Sequence, residues 1–147
     1  MEVVQLGRKH LIGFRVVCEG DRYFQEIPQT AAKLRERVKE IEGAVNPEQL
    51  IGAFVVGDCT EEQDGYWIGV EVERWDGMTI PPGMVGLEVP AQRYAVIRHR
   101  GPNTGIPRTY ETLHAWIAAQ GYTRNLCAWH LEITAGPNEI DLYDTLN

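Results

Sequence analysis

The sequence predicts an α+β fold, in which a duplicated strand–helix–strand–strand unit forms one antiparallel sheet with two main helices and a ligand cleft between the halves. Three observations predict it. Ile27-Pro28-Gln29-Thr30, followed by Leu34, recurs as Ile106-Pro107-Arg108-Thr109, followed by Leu113, with 79 residues separating both Ile27 from Ile106 and Leu34 from Leu113. Strand-like runs flank both copies in the same order. Residues 74–91, which hold Pro81, Pro82, Gly83, Gly86 and Pro90, read as a link between the halves.

In chain order, the first strand is expected over Leu11 to Cys18. The first helix then opens near Ile27-Pro28, because a proline in the first turn loses no intrahelical hydrogen bond. Ala31, Leu34, Val38 and Ile41 fall three and four apart and form one apolar stripe, and Gly43 stands where the helix should end. Strands follow over Ile51 to Val56 and Tyr66 to Val72, separated by a polar loop. The second unit repeats this order: a strand over Tyr94 to His99, then a helix with Tyr110, Leu113 and Ile117 on its stripe and Gly121 at its end. Strands over Leu126 to Ile133 and Ile140 to Tyr143 complete it, joined by Ala135-Gly136-Pro137-Asn138. The repeats thus cover about 10–73 and 92–145. A hairpin and one helix cannot bury two apolar faces alone, so the halves are expected to merge into a single domain, 1–147.

The composition excludes several functions. The 147 residues suffice to bury roughly 70% of the unfolded surface, and no apolar run approaches the ~18 residues of a membrane span. Met1 to Gln5 has no basic stretch followed by an apolar segment, so no secretory signal is expected. The three cysteines are expected as reduced thiols and the protein as cytoplasmic. A net charge of −7 without a basic stripe argues against nucleic-acid binding by the chain itself, and it raises the local concentration of cationic small molecules. There is no serine, so every seryl-nucleophile mechanism is excluded. His10, His99, His114 and His130 have no metal-ligand spacing, and Gly52 to Asp58 lacks the lysine and helix of a phosphate loop. Neither a metal nor another cofactor is expected.

Two features point to a site. Tyr110 stands where the first unit has Ala31, so a large ring opposite a small side chain should leave a lopsided cavity. Aromatics are the other suggestive group (Trp67, Trp75, Tyr94, Tyr110, Trp116, Trp129, Tyr143), although in strands and on helix stripes they usually mean core, and Trp67 lies on the face opposite Ile68, Val70 and Val72. By alternation alone, Trp129, Leu131 and Ile133 face inward, while His130 and Glu132 face water.

Pro90-Ala91-Gln92-Arg93-Tyr94-Ala95-Val96, then His99-Arg100-Gly101-Pro102, then Ile106-Pro107 with Tyr110, Leu113 and Trp116, resembles the GyrI-like small-molecule-binding domain, the effector-binding domain of AraC- and MerR-type regulators. The likeness is most specific over 90–116 and extends in pattern along the whole chain. It implies a pocket between the halves with an acidic anchor on the strand after the second helix, which is Glu132 here. That reverses the alternation reading. The implied activity is stand-alone binding of lipophilic, cationic small molecules by Glu132, Tyr110, Trp67, Ile51, Ala31 and Tyr143, with no catalytic residue. Two alternatives follow from the same likeness: hydrolysis of reactive cyclopropane-bearing compounds by Glu132, or a protein-interaction module of the gyrase-inhibitor kind. The chain departs from the family in Thr134, where many relatives have tyrosine, and in the strand at Asp141-Leu142-Tyr143-Asp144, and a stand-alone form without a helix-turn-helix before the first strand is expected.

Overall fold

The computed structural model describes residues 1–74 and 79–147, and Trp75 lies outside them. Eight strands and two helices follow one another as β1 (Glu2–Leu6), β2 (Lys9–Val16), α1 (Tyr23–Arg37), β3 (Ile51–Val55), β4 (Tyr66–Val72), β5 (Val85–Val89), β6 (Gln92–Arg100), α2 (Ile106–Ala119), β7 (Trp129–Gly136) and β8 (Glu139–Thr145). They form one sheet in the order β1-β6-β8-β7-β3-β4-β2-β5, and every adjacent pair is antiparallel. β3 and β7 meet at its centre, where Gly52 faces Glu132.

One face of this curled sheet carries the helices. Along α1, Tyr23, Ile27, Ala31 and Leu34 lie on Ile12, Phe14, Ile68 and Val70, while on α2 Leu113 and Ile117 cover Ala95 and Leu146. The curl closes the other face upon itself, around Leu11, Ile51, Trp67, Tyr94, Leu131 and Ile133. Because both faces are buried, polar alternation fails as a guide to solvent at the centre of the sheet. His130, which alternation places in water, is 1% exposed beneath the helix layer, and its Nε2 lies 3.1 Å from the Asn125 carbonyl oxygen.

Three other expectations need correction. The repeat as read from sequence has no strand before Leu11 and only a link at 74–91, yet β1 and β5 occupy those places. Each has five residues at a sheet edge and, among the described residues, pairs on one side only, β1 with β6 and β5 with β2. Their short apolar patterns are flanked by Gly7 and by Pro81, Pro82 and Pro90, which reads as loop. Next, Pro28 does not open its helix. A full turn from Tyr23 precedes it, because Tyr23 and Ile27 continue the buried stripe towards the N-terminus and outweigh the donor lost at the Phe24 carbonyl. Pro107 does sit in the first turn of α2.

Finally, the cysteines are not all free: Cys59 and Cys127 form a disulfide and Cys18 remains a half-buried thiol. Pairing of Val55 with Trp129, and the bond from the Gly57 N–H to the Leu126 carbonyl (2.7 Å), bring those two loops together. Alkylation of the oxidised protein in denaturant is therefore expected to label a single thiol per chain, rising to all three cysteines after reduction. Full labelling without reductant would show the pair to be open.

Candidate functional site

Glu132 stands at the middle of β7 on the helix-covered face, in register with Gly52 on β3 and Leu142 on β8. Two tyrosines converge on it. Tyr66 shares the β4 face of Ile68 and Val70, and its hydroxyl donates to Glu132 Oε1 at 2.7 Å. Tyr110 points down from the second turn of α2 and donates to Oε2 at 2.6 Å. Burial is the main cause that pushes both phenols well above the usual tyrosine range, and the adjacent carboxylate charge adds to it. Both are therefore neutral donors throughout the physiological range. Hydrogen bonds to an ionised acceptor are the strong kind, and together they hold the carboxylate in place. Among the described residues, no Lys, Arg or His forms an ion pair with it.

Beside this cluster lies a cavity of about 640 Å³, within the usual range of small-molecule sites. α1 forms one wall with Tyr23, Ile27 and Ala31, and the sheet forms the floor with Gly52, Tyr66, Ile68, Glu132 and Thr134. The third wall is the loop from Gly101 to Thr104 together with Ile106 and Pro107. His99 fixes that loop: its Nε2 is 2.9 Å from the Pro102 carbonyl oxygen, while its Nδ1 lies 2.7 Å from the Thr109 hydroxyl. The exposed side chains Phe24 and Arg35 also border the cavity. The chemistry on offer is a carboxylate held by two phenols on a largely apolar, aromatic space, whose lining also includes Arg35 and Glu139, the latter paired with Arg100. Among the described residues, no three His, Cys, Asp or Glu side chains gather as a metal site.

The structure brings Glu132 and Ala31 together on the cavity, with Tyr110 bonded to the carboxylate without lining the space itself. Ile51, Trp67 and Tyr143 lie on the opposite face of the sheet. Trp67 packs edge-on against Trp129 (5.0 Å) beneath the Arg15 guanidinium, and Tyr143 packs edge-on against Tyr94 (5.6 Å). Each is one residue from a residue of the helix face (Gly52, Tyr66 and Leu142), and in a strand one step reverses the side chain. Tyr66 is the candidate site residue that sequence reasoning missed. The signal was its even spacing from Ile68, Val70 and Val72, which puts it on the helix-facing side rather than with Trp67.

A family model described as GyrI-like small molecule binding domain matches residues 1–133. The transcriptional regulator BrlR of Pseudomonas aeruginosa is 33% identical over 109 residues, which is 69% of this chain and 38% of that protein. This chain thus spans well under half the length of that relative. Among solved structures, SAV2435 bound to tetraphenylphosphonium superposes with a TM-score of 0.72 at 14% identity, over 99% of this chain and 93% of the other. A hydrolase from Listeria innocua superposes with a TM-score of 0.56 at 13% identity, over 99% and 90%. Likenesses at such low identity speak to the fold alone.

Proposed function

Because the chain belongs to the GyrI-like small-molecule-binding domain family, we propose that its cavity takes lipophilic cations, with Glu132 as the charge anchor. One observation carries this reading: the Glu132 carboxylate lies on a largely apolar cavity, held by two phenol donors, and among the described residues it has no ion-pair partner, Arg35 being an exposed side chain at the border. A carboxylate partly removed from water gains most from a partner of opposite charge that brings little hydration of its own. Tyr23, Phe24 and Tyr66 offer aromatic faces, which attract cations further. The net charge of −7 favours approach of the same ligands. The lipophilic cation held by SAV2435 on the same fold is in keeping with this choice.

The rest of the reading follows from it. The domain spans 1–147 as two related halves, which accounts for the palindromic strand order about β3 and β7. Tyr110 on α2 and Ala31 on α1 then occupy matched places, and the small side chain leaves the space that becomes the cavity. Ligand binding, without nucleic-acid binding of its own, is the activity of this chain in the cytoplasm. Tetraphenylphosphonium is expected to bind saturably at one site by titration calorimetry, and roughly tenfold or more tighter than a neutral triphenyl compound of similar size, a difference of about 1.4 kcal/mol. Equal affinity for both would overturn the proposal.

A second reading, hydrolysis of a reactive cyclopropane-bearing ligand, is favoured by the carboxylate held between two phenols, a geometry in which Glu132 activates a water. Chromatography of the same mixtures with an activated cyclopropane separates the two: product accumulating beyond one equivalent per chain supports catalysis, and its absence leaves binding.

A further inference from the structure

We propose that Gly52 is a positioning residue for this site: its bare backbone lets the Tyr66 ring lie across β3 and bring the phenol to Glu132. The inference rests on the cation-binding reading for its consequence, though not for its geometry. Gly52 is the one residue in register with both Glu132 on β7 and Ile68 on β4, and so lies between the strand of the tyrosine and the strand of the carboxylate. A Cβ built there would stand 1.7 Å from the Tyr66 hydroxyl oxygen, 2.4 Å from Cζ and 3.0 Å from Cε1. The backbone itself does not require glycine, since Gly52 is not among the residues with positive φ. Glycine weakens a strand interior, and its use there commonly marks a close approach by another group. Here that group is the phenol.

Phe54 decides which way the ring moves when Gly52 is filled. Its ring stacks on Tyr66 at 5.7 Å on one side and on His130 at 5.7 Å on the other, so Tyr66 is blocked on the Phe54 side. The cavity is the open direction. A side chain at 52 therefore takes the phenol from Oε1 of Glu132 and pushes the ring into the ligand's space. Gly52 thus sets both the polarity of the anchor and the size of ligand the cavity admits.

The test is a cycle of Gly52→Ala, Tyr66→Ala and the double variant, read by tetraphenylphosphonium affinity, melting temperature and tyrosine ionisation. Gly52→Ala is expected to lower affinity at least tenfold, whereas in the Tyr66→Ala background the same change should alter affinity less than twofold and leave the melting temperature unchanged. Isotope-labelled tyrosine followed by NMR should show the Tyr66 phenol of Gly52→Ala ionising closer to the ordinary tyrosine value, because in the cavity it has left both its buried setting and the Glu132 carboxylate. Should Gly52→Ala fail to fold, recovery of folding in the double variant would support the same role for the bare backbone. An equal penalty for Gly52→Ala with and without the Tyr66 ring, or an unmoved Tyr66 ionisation, would overturn the proposal. The ionisation and melting arms need no ligand, so they decide the role of Gly52 even if no cation binds.

Discussion

Replacing Glu132 with glutamine is expected to weaken tetraphenylphosphonium binding by about 1.5–3 kcal/mol, roughly tenfold to 150-fold, while a neutral compound of similar shape binds as before or better. The substitution keeps the shape of the side chain. Its carbonyl oxygen still accepts from one of the two phenols, and its amide N–H donates to the hydroxyl oxygen of the other, so the Tyr66 and Tyr110 contacts survive in altered form. Only the charge is lost. The empty protein should melt at the same temperature or slightly higher, since no carboxylate then waits partly desolvated for a partner. Calorimetry of cation and neutral analogue against both proteins measures the difference directly. An equal loss for the two ligands would mean that Glu132 shapes the cavity without reading charge. A small loss that vanishes with added salt would instead place the carboxylate in solvent.

The second large effect concerns stability. Asp144 on β8 is 1% exposed, and its carboxylate lies 2.7 Å from His114 Nε2 on α2, 2.9 Å from Arg124 Nε and 3.4 Å from His130 Nδ1. Burial opposes its charge, but His130 and Arg124 more than offset burial and hold its pKa well below the usual carboxylate range. Asp144→Ala leaves Arg124 and His114 without their acceptor. Breaking such a buried cluster typically costs about 3–5 kcal/mol. His114 and Arg124 are themselves 34% and 26% exposed and recover some hydration, so about 3 kcal/mol is expected here. That corresponds to a fall in melting temperature of roughly 6–12 °C for a domain of this size. The sign with pH follows from the depressed value. The contribution is fully present above the unfolded carboxylate pKa of about 4, and it is lost as pH falls towards the lower folded value. Urea unfolding at pH 7 and pH 3 should therefore show the gap between wild type and variant narrowing in acid. A gap that stays constant would mean that the cost comes from packing rather than charge.

Much of this architecture is legible in the residues because the two helices carry the same signals. Leu34 and Leu113, matched by the 79-residue offset, are both fully buried, and Tyr66–Val72 has the bounds its alternation predicts. Edge strands are harder to read, since β1 and β5 are only five residues long and stand next to glycine and proline. The candidate site is legible to a different degree. Glu132 comes from the likeness to a family, against its own alternation pattern, because alternation assumes one wet face and this sheet has none at its centre. Ile51, Trp67 and Tyr143 show the same cause from the other side. Residue type makes each of them a candidate, but side-chain parity in a doubly buried strand turns on the neighbouring strands. Tyr66 and Gly52 become meaningful only once β3 is seen to lie between β4 and β7.

The edge strands also set a timetable for synthesis. Glu2–Leu6 is made well before the strand it pairs with among the described residues, Gln92–Val96 on β6, with Glu2 opposite Val96. At about 5–20 residues per second, translation of the intervening chain takes roughly 5–20 s. Throughout that interval the N-terminal segment has no strand to join, and β2 to β4 must assemble around α1 without it. Pairing across so long a stretch is slow to close even once both strands exist. β1 is thus made early and yet is among the last of the strands that can be seated.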